Sequence, residues 1–505
     1  MRTVSFAFAV IAWAAAASAG PATELPVVQK RAILGEFIQL LKIPNVAQDK
    51  ANIRHNAEAI MSMMQRRGLT PRLLESNQSP DAPPIVYGEW TVPHAKRTIL
   101  LYAHYDGQPV NPAEWTTAPW EPTLRTAPLE AGGSIIAADS PNSINEAARL
   151  YARGAGDDKA GVIVILSAID RLRQAHRTPT DNLKIVFEGE EEAGSPHLGL
   201  LLREHRKLLE SDLWVICDGP VHPTGRKEVI YGARGDTNID LTVYGPNRAL
   251  HSGHYGNWAP NPGLRLARLL AEMKNDSGRV VIPGWYDDIT PLGTLEKKAI
   301  AAAAAYDDPI RRDLGLAATE SDSSLAGSWT EPSLNINGMR SANVAEQAAN
   351  VIPASASAVL DVRLVLGNDP HRQFEKLQAF IRSRGYFVID REPTADERLQ
   401  HPLIANVKLR PGLYAAARTP MDQPLAHAIA TAVRASAREE IIELPTSGGS
   451  LPLSIVQATL GTSAIVVPIA NYDDNQHAAN ENLKLGNLWE GIATYTAVLT
   501  HPAPR

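Results

Sequence analysis

Cysteine is nearly missing from this chain: Cys217 is the only one in 505 residues. No intrachain disulfide can form, so stability has to come from packing or from bound metal. Blocks of lysine and arginine are missing too, and the formal net charge is −6. That balance argues against nucleic acid as a partner. Beyond the first twenty residues no stretch is apolar enough to cross a bilayer, and no internal repeat is visible. The start of the chain is different in kind. Met1-Arg2 is basic, Val4–Ala17 is apolar, and Ala17-Ser18-Ala19 offers small residues for cleavage. The apolar run falls short of the ~20 residues a membrane span needs. Residues 1–19 are therefore expected to be a secretory signal peptide. The mature chain is then exported, periplasmic or secreted, with no membrane attachment.

What remains has the composition of a soluble globular protein, 44% hydrophobic and 21% charged. Its length exceeds one ordinary core and predicts two domains. Helical spacing of apolar residues runs through Leu25–Leu41, Ala51–Arg67 and Lys159–His176. Four short runs rich in Val, Ile and Leu (Thr98–Ala103, Leu183–Phe187, Leu213–Cys217 and Ala464–Ile469) read as buried strands. Continuous apolar strands alternating with helices predict an α/β catalytic domain with a mainly parallel sheet and flanking helices. From about 221 the texture changes. Asn238–Tyr244 and Ala358–Leu366 alternate polar with apolar, as antiparallel strands with one wet face do. Helical patterns lie at Gly263–Met273 and Arg372–Arg384, and Ala299–Ala305 also reads as helix. These features predict an inserted α+β domain over 221–394. The catalytic domain then comprises residues 20–220 and 395–505.

In α/β sheets, ligands gather where the parallel strands end. Here those ends carry His104-Tyr105-Asp106, the acidic run Glu188, Glu190, Glu191 and Glu192, and Asp218, with His477 soon after the fourth strand. Crowded carboxylates resist burial unless something offsets their charge. An acidic loop alone would be an ordinary solvated surface, but four strand ends bearing metal-type ligands point to bound cations. Imidazole is a common metal ligand, and Asp106 stands where it can fix the His104 tautomer. Of the adjacent Asp157 and Asp158, the second is the natural helix N-cap. That leaves the first free to bridge two cations.

The motifs in order are HxDxxP (His104–Pro109), RGxxDDK (Arg153–Lys159), EGxEExGS (Glu188–Ser195), Asp218, HSG (His251–Gly253), GGSxP (Gly448–Pro452) and a late His477 followed by Asn-Glu. This ordered set resembles the carnosinase and non-specific dipeptidase family, within the two-metal superfamily of aminoacylase-1 and carboxypeptidase G. The resemblance implies one metal held by His104, Asp157 and Asp218, and a second held by Asp157, Glu192 and His477. It makes Glu191 the general base, Asp106 the residue orienting His104, and His251 the donor to the tetrahedral oxyanion, reaching the neighbouring subunit in dimeric members. A positioned donor of that kind is typically worth ~3–4 kcal/mol. Arg363 would clamp the substrate carboxylate, a task suited to guanidinium. Ser450 and Gly449 of the GGS loop would also contact substrate, and the resemblance makes the inserted domain a lid or dimerisation domain. Three carboxylates and two imidazoles suit two divalent ions, zinc first, with manganese or cobalt also fitting.

The chain departs from the family pattern in the substrate region. Asn350 stands where relatives usually have Thr, Ala478 replaces a usual Ser, and Thr446-Ser447 replaces Arg-Glu. The expected activity is amide-bond hydrolysis in dipeptides or small peptides by a homodimer. An N-acyl-amino-acid deacylase, a carboxypeptidase and a non-catalytic exported solute-binding protein are the alternatives.

Overall fold

The computed structural model describes residues 25–412 and 414–502. The expected signal peptide, residues 1–19, lies outside them. An eight-stranded sheet forms the larger unit, in the order Arg72–Leu74, Ile85–Trp90, Asn182–Glu188, Thr98–His104, Leu213–Ile216, Ala464–Val466, Glu228–Ile230, Ile442–Leu444. The four middle strands are those expected from their apolar runs, and they are mutually parallel. Their composition explains the position. On Thr98–His104, Ile99 and Leu101 face one side, packed with Phe37, Ile163 and Tyr495 from helices Val27–Leu41, Lys159–Gln174 and Leu485–Leu499. Leu100 and Tyr102 face the other, with Leu201 and Val456 from helices Leu198–Glu204 and Leu453–Leu460. A strand covered on both faces needs apolar residues at every position.

The second sheet has five strands in the order Ser333–Arg340, Ser355–Leu364, Gly235–Tyr244, Ile404–Leu409, Phe387–Ile389. It is antiparallel except for its last pair. Its two long central strands alternate buried and half-buried residues, as the sequence pattern predicts. Helices Pro262–Ala271 and Pro370–Ser383 cover the apolar face through Leu266, Leu269, Leu377 and Phe380.

Sheet membership does not follow the expected boundaries of 221 and 394. Glu228–Ile230 pairs into the larger sheet, whereas Ile404–Leu409 pairs into the smaller one. A third segment leaves the second unit and returns. Helix Thr294–Ala303 and the short helix Leu325–Ser328 place Ala303 and Ala326 in the apolar cluster of the larger sheet. The first of these helices lies against the sheet's terminal strand, Ile442–Leu444, and a covered edge cannot recruit another strand. Near the junction the outgoing and returning chains pair with each other, Ala233 with Ala417 and Gly232 with Arg418.

Candidate active site and metal centre

Because the four central strands run the same way, their C-terminal ends share one edge, and the metal-type residues meet there. Nε2 of His104 lies 3.0 Å from Oδ1 of Asp157 and 3.7 Å from Oδ2 of Asp218. Nε2 of His477 lies 3.1 Å from Oδ2 of Asp157 and 3.3 Å from Oε2 of Glu192. These are the two expected triads, and within each the potential ligand atoms lie within 4.8 Å of one another. Asp157 turns one oxygen toward each histidine.

Local structure explains how. Asp158 accepts from the Gly161 amide as the N-cap of helix Lys159–Gln174, and its other oxygen accepts from the His104 amide. Asp157 is thereby left to face outward from the turn. Glu481 is buried and accepts from the amides of Gly154, Gly156 and Asp157 and from the Arg153 guanidinium. Arg153 also donates to the carbonyl of Ala478, beside His477. Glu481 and Arg153 thus fix the turn bearing Asp157 against the loop bearing His477. Both belong to motifs already noted, RGxxDDK and the Asn-Glu that follows His477, but neither was assigned a role from sequence. Only a buried ion pair across 328 positions reveals it.

Asp106 does more than the expected orienting. His104 Nδ1 lies 3.2 Å from its backbone oxygen and 3.4 Å from its carboxylate. Its two carboxylate oxygens also accept the amides of Glu191 and Glu192, each at 3.0 Å. One buried carboxylate therefore aims the His104 ring and pins the turn that sends Glu191 and Glu192 in different directions. Glu191 is buried, and its carboxylate takes no hydrogen bond from the described residues.

The electrostatics demand a counter-charge. Burial lifts the Glu191 carboxyl well above its usual range, and burial pushes Asp218 up to about 7. Hydrogen bonds donated to the Asp157 and Glu192 carboxylates push the His477 imidazole up to about 11. Oε1 of Glu192 is buried with no hydrogen-bond partner. A buried carboxylate oxygen with no partner, on an acid whose other oxygen lies 3.3 Å from an imidazole, is what a divalent cation satisfies. The donor set fits a pair of such ions.

The substrate-contact residues divide into two groups. Arg363, on strand Ser355–Leu364 of the second sheet, donates from Nη1 to Oγ of Ser450 at 2.9 Å. Arg363 also lies 3.3 Å from Asp361. Gly449, next to Ser450, accepts from Ser447 through its carbonyl. The Gly448 backbone lies flat against Trp329, where any Cβ would come within 2.8 Å of the indole nitrogen. His251 and Asn350 lie apart from the triads. They share a two-stranded ribbon, His251 opposite Val351, with the Ser252 amide donating to the Asn350 carbonyl. Both are exposed, and His251 touches Gly253 and His254 rather than any residue of the triads. Sequence reasoning also passed over Gln108 and Gln476, which contact Glu192 and Asp157.

The chain is similar to known peptidases. Residues 100–501 match the model of peptidase family M20/M25/M40. Over 93% of its length the chain is 25% identical to the Cys-Gly metallodipeptidase dug1 of Schizosaccharomyces pombe, covering 96% of that protein. It is 26% identical to the Beta-Ala-His dipeptidase of Homo sapiens, over 85% of this chain and 79% of the relative. Among solved structures, the M20 family metallo-carboxypeptidase Sso-CP2 from Sulfolobus solfataricus superposes with a TM-score of 0.73 at 26% identity. That match covers 92% of this chain and 98% of the other. With the family matched over most of its length, this chain belongs to peptidase family M20/M25/M40 and is a metal-dependent peptide hydrolase.

Proposed function

We propose that this protein is an exported dipeptidase that works as a homodimer with two zinc ions, and that Glu191 is its proton carrier. The observation that carries this reading is the place of Glu191, buried within electrostatic reach of His104 and Asp218 of the first triad and Glu192 of the second, with a carboxylate that no described residue hydrogen-bonds. Bound divalent cations would polarise the scissile carbonyl and make water acidic enough to ionise near neutral pH. Glu191 accepts the proton of the attacking water at its carboxylate and returns it to the nitrogen of the leaving amine. Asp106 keeps that carboxylate aimed by holding the Glu191 amide. Arg363, joined to Ser450, receives the substrate's terminal carboxylate, with Gly449 beside the bound chain and Asn350 reaching it, like His251, from the neighbouring subunit. His251 donates to the oxyanion from the neighbouring subunit, in keeping with its exposed ribbon. Dipeptide preference draws support from the names of the relatives, two of which are dipeptidases. Export rests on the sequence of Met1–Ala19. No helix among the described residues is long and apolar enough to cross a membrane.

Glu191→Gln tests the proton carrier. Hydrolysis of a dipeptide panel should fall by roughly 10²–10⁴-fold, while elemental analysis still finds two metal equivalents. Undiminished turnover would remove Glu191 from the role. A wild type that cleaves N-acetyl amino acids but no dipeptide would be the deacylase. One that binds dipeptides and cleaves neither class would be a solute-binding protein.

A further inference from the structure

The two triads differ in their surroundings. In the first, every ligand is buried, and the oxygens of Asp157 and Asp218 that face His104 accept no other side chain among the described residues. In the second, His477 is 55% exposed, and each carboxylate oxygen facing it also accepts a primary amide. Nε2 of Gln476 donates to Oδ2 of Asp157 at 2.8 Å, and Nε2 of Gln108 donates to Oε2 of Glu192 at 2.8 Å. A carboxylate oxygen has two lone pairs. One occupied by a fixed N–H leaves the other pointing in a set direction, here toward His477.

The backbone is shaped to allow this. Gln476 and His477 are neighbours, yet both reach the same oxygen of Asp157. Left-handed φ values of 57° at Asn475 and 62° at His477 turn the chain between them. Oδ1 of Asp474 holds the Gln476 amide at 2.9 Å. Gln108 comes from the other side of the site, two residues past Asp106 on the turn that carries His104. The first triad's own turn thus reaches across to orient an acid of the second.

We infer that Gln108 and Gln476 are positioning residues for the second cation, the one held by Asp157, Glu192 and His477, and that they set its affinity separately from that of the first. This rests on the two-cation reading above. Partners that orient metal-binding carboxylates commonly change affinity by about 10–100-fold when removed.

Chelator-stripped full-length protein is titrated with cobalt(II), followed by its visible absorption and by competition with a chromogenic chelator, giving one constant per equivalent. In Gln476→Leu and Gln108→Leu, on separate loops, one equivalent, the same in both variants, should lose about tenfold or more in affinity while the other keeps its constant. Gln476→Glu, which removes the N–H donors and keeps an acceptor, should not restore it. Three results overturn the inference: wild-type constants in both Leu variants, equal weakening of both equivalents, or tighter binding in Gln476→Glu, which would make residue 476 a ligand. A wild type that binds a single equivalent overturns the two-cation reading instead, and the inference with it.

Discussion

Glu228 shows what a single buried acid does to this protein. It sits on a strand of the larger sheet, and burial pushes its carboxyl up from 4.5 to about 8. The folded chain therefore holds a proton there that the unfolded chain has already released between about pH 4.5 and 8. Stability must fall as pH rises through that window. Glu228→Gln should flatten the slope, with unfolding free energy in pH 8 buffer rising relative to wild type by on the order of a few kcal/mol and Tm rising with it. Calorimetry from pH 5 to 8 reads it directly. The same scale shows how far single residues are legible. Of the adjacent acids Asp157 and Asp158, sequence assigns the N-cap to the second because a helix needs one, and the amide of Gly161 takes it. Gln108 and Gln476 were not legible, because an amide within reach of a carboxylate is a matter of three-dimensional distance and leaves no local pattern.

At the scale of elements, the start of helix Lys159–Gln174 is fitted to the strand beside it. A Cβ on Gly161 would lie 2.6 Å from the Cys217 carbonyl oxygen and 2.6 Å from Oδ1 of Asp158. Gly161→Ala ought to favour the helix by ~1 kcal/mol on propensity. Overpacking against backbone typically costs ~1–3 kcal/mol, and here it would displace the turns carrying Asp157 and Asp218. We expect a lower Tm together with weakened metal binding, measured by a thermal scan and a cobalt titration; an unchanged pair of values would show that the helix can shift freely. The four central strands of the larger sheet were legible because burial on both faces writes itself as unbroken apolar runs, as in Thr98–Ala103. Strand Ile404–Leu409 lies in the stretch expected to return to the catalytic domain, yet it pairs into the smaller sheet. Its residues fit a strand, but which neighbour it pairs with is settled by contacts with Gly235–Tyr244, far away in sequence.

On the scale of the whole molecule, Arg363 of the smaller sheet meets Ser450 of a loop on the larger unit. If that pair receives a substrate carboxylate, C-terminally amidated dipeptides should be cleaved roughly tenfold or more slowly than free ones, a charged hydrogen bond being worth about 1.5–3 kcal/mol. Arg363→Lys should erase most of that preference, because ammonium lacks the two-pronged fit. Equal rates for amide and acid in the wild type would end the assignment. The parts of the architecture that escaped sequence reasoning are long-range ones. Residues 294–329 are flanked in the chain by Trp285, in the core of the smaller sheet, and by that sheet's strand Ser333–Arg340, yet Ala303 and Ala326 are buried against the larger. Such a segment acts as a strap of fixed length. Were the two units to swing apart as a hinged jaw, those alanines would have to be peeled out of an apolar seat, so any gape has to pivot about the strap rather than stretch it.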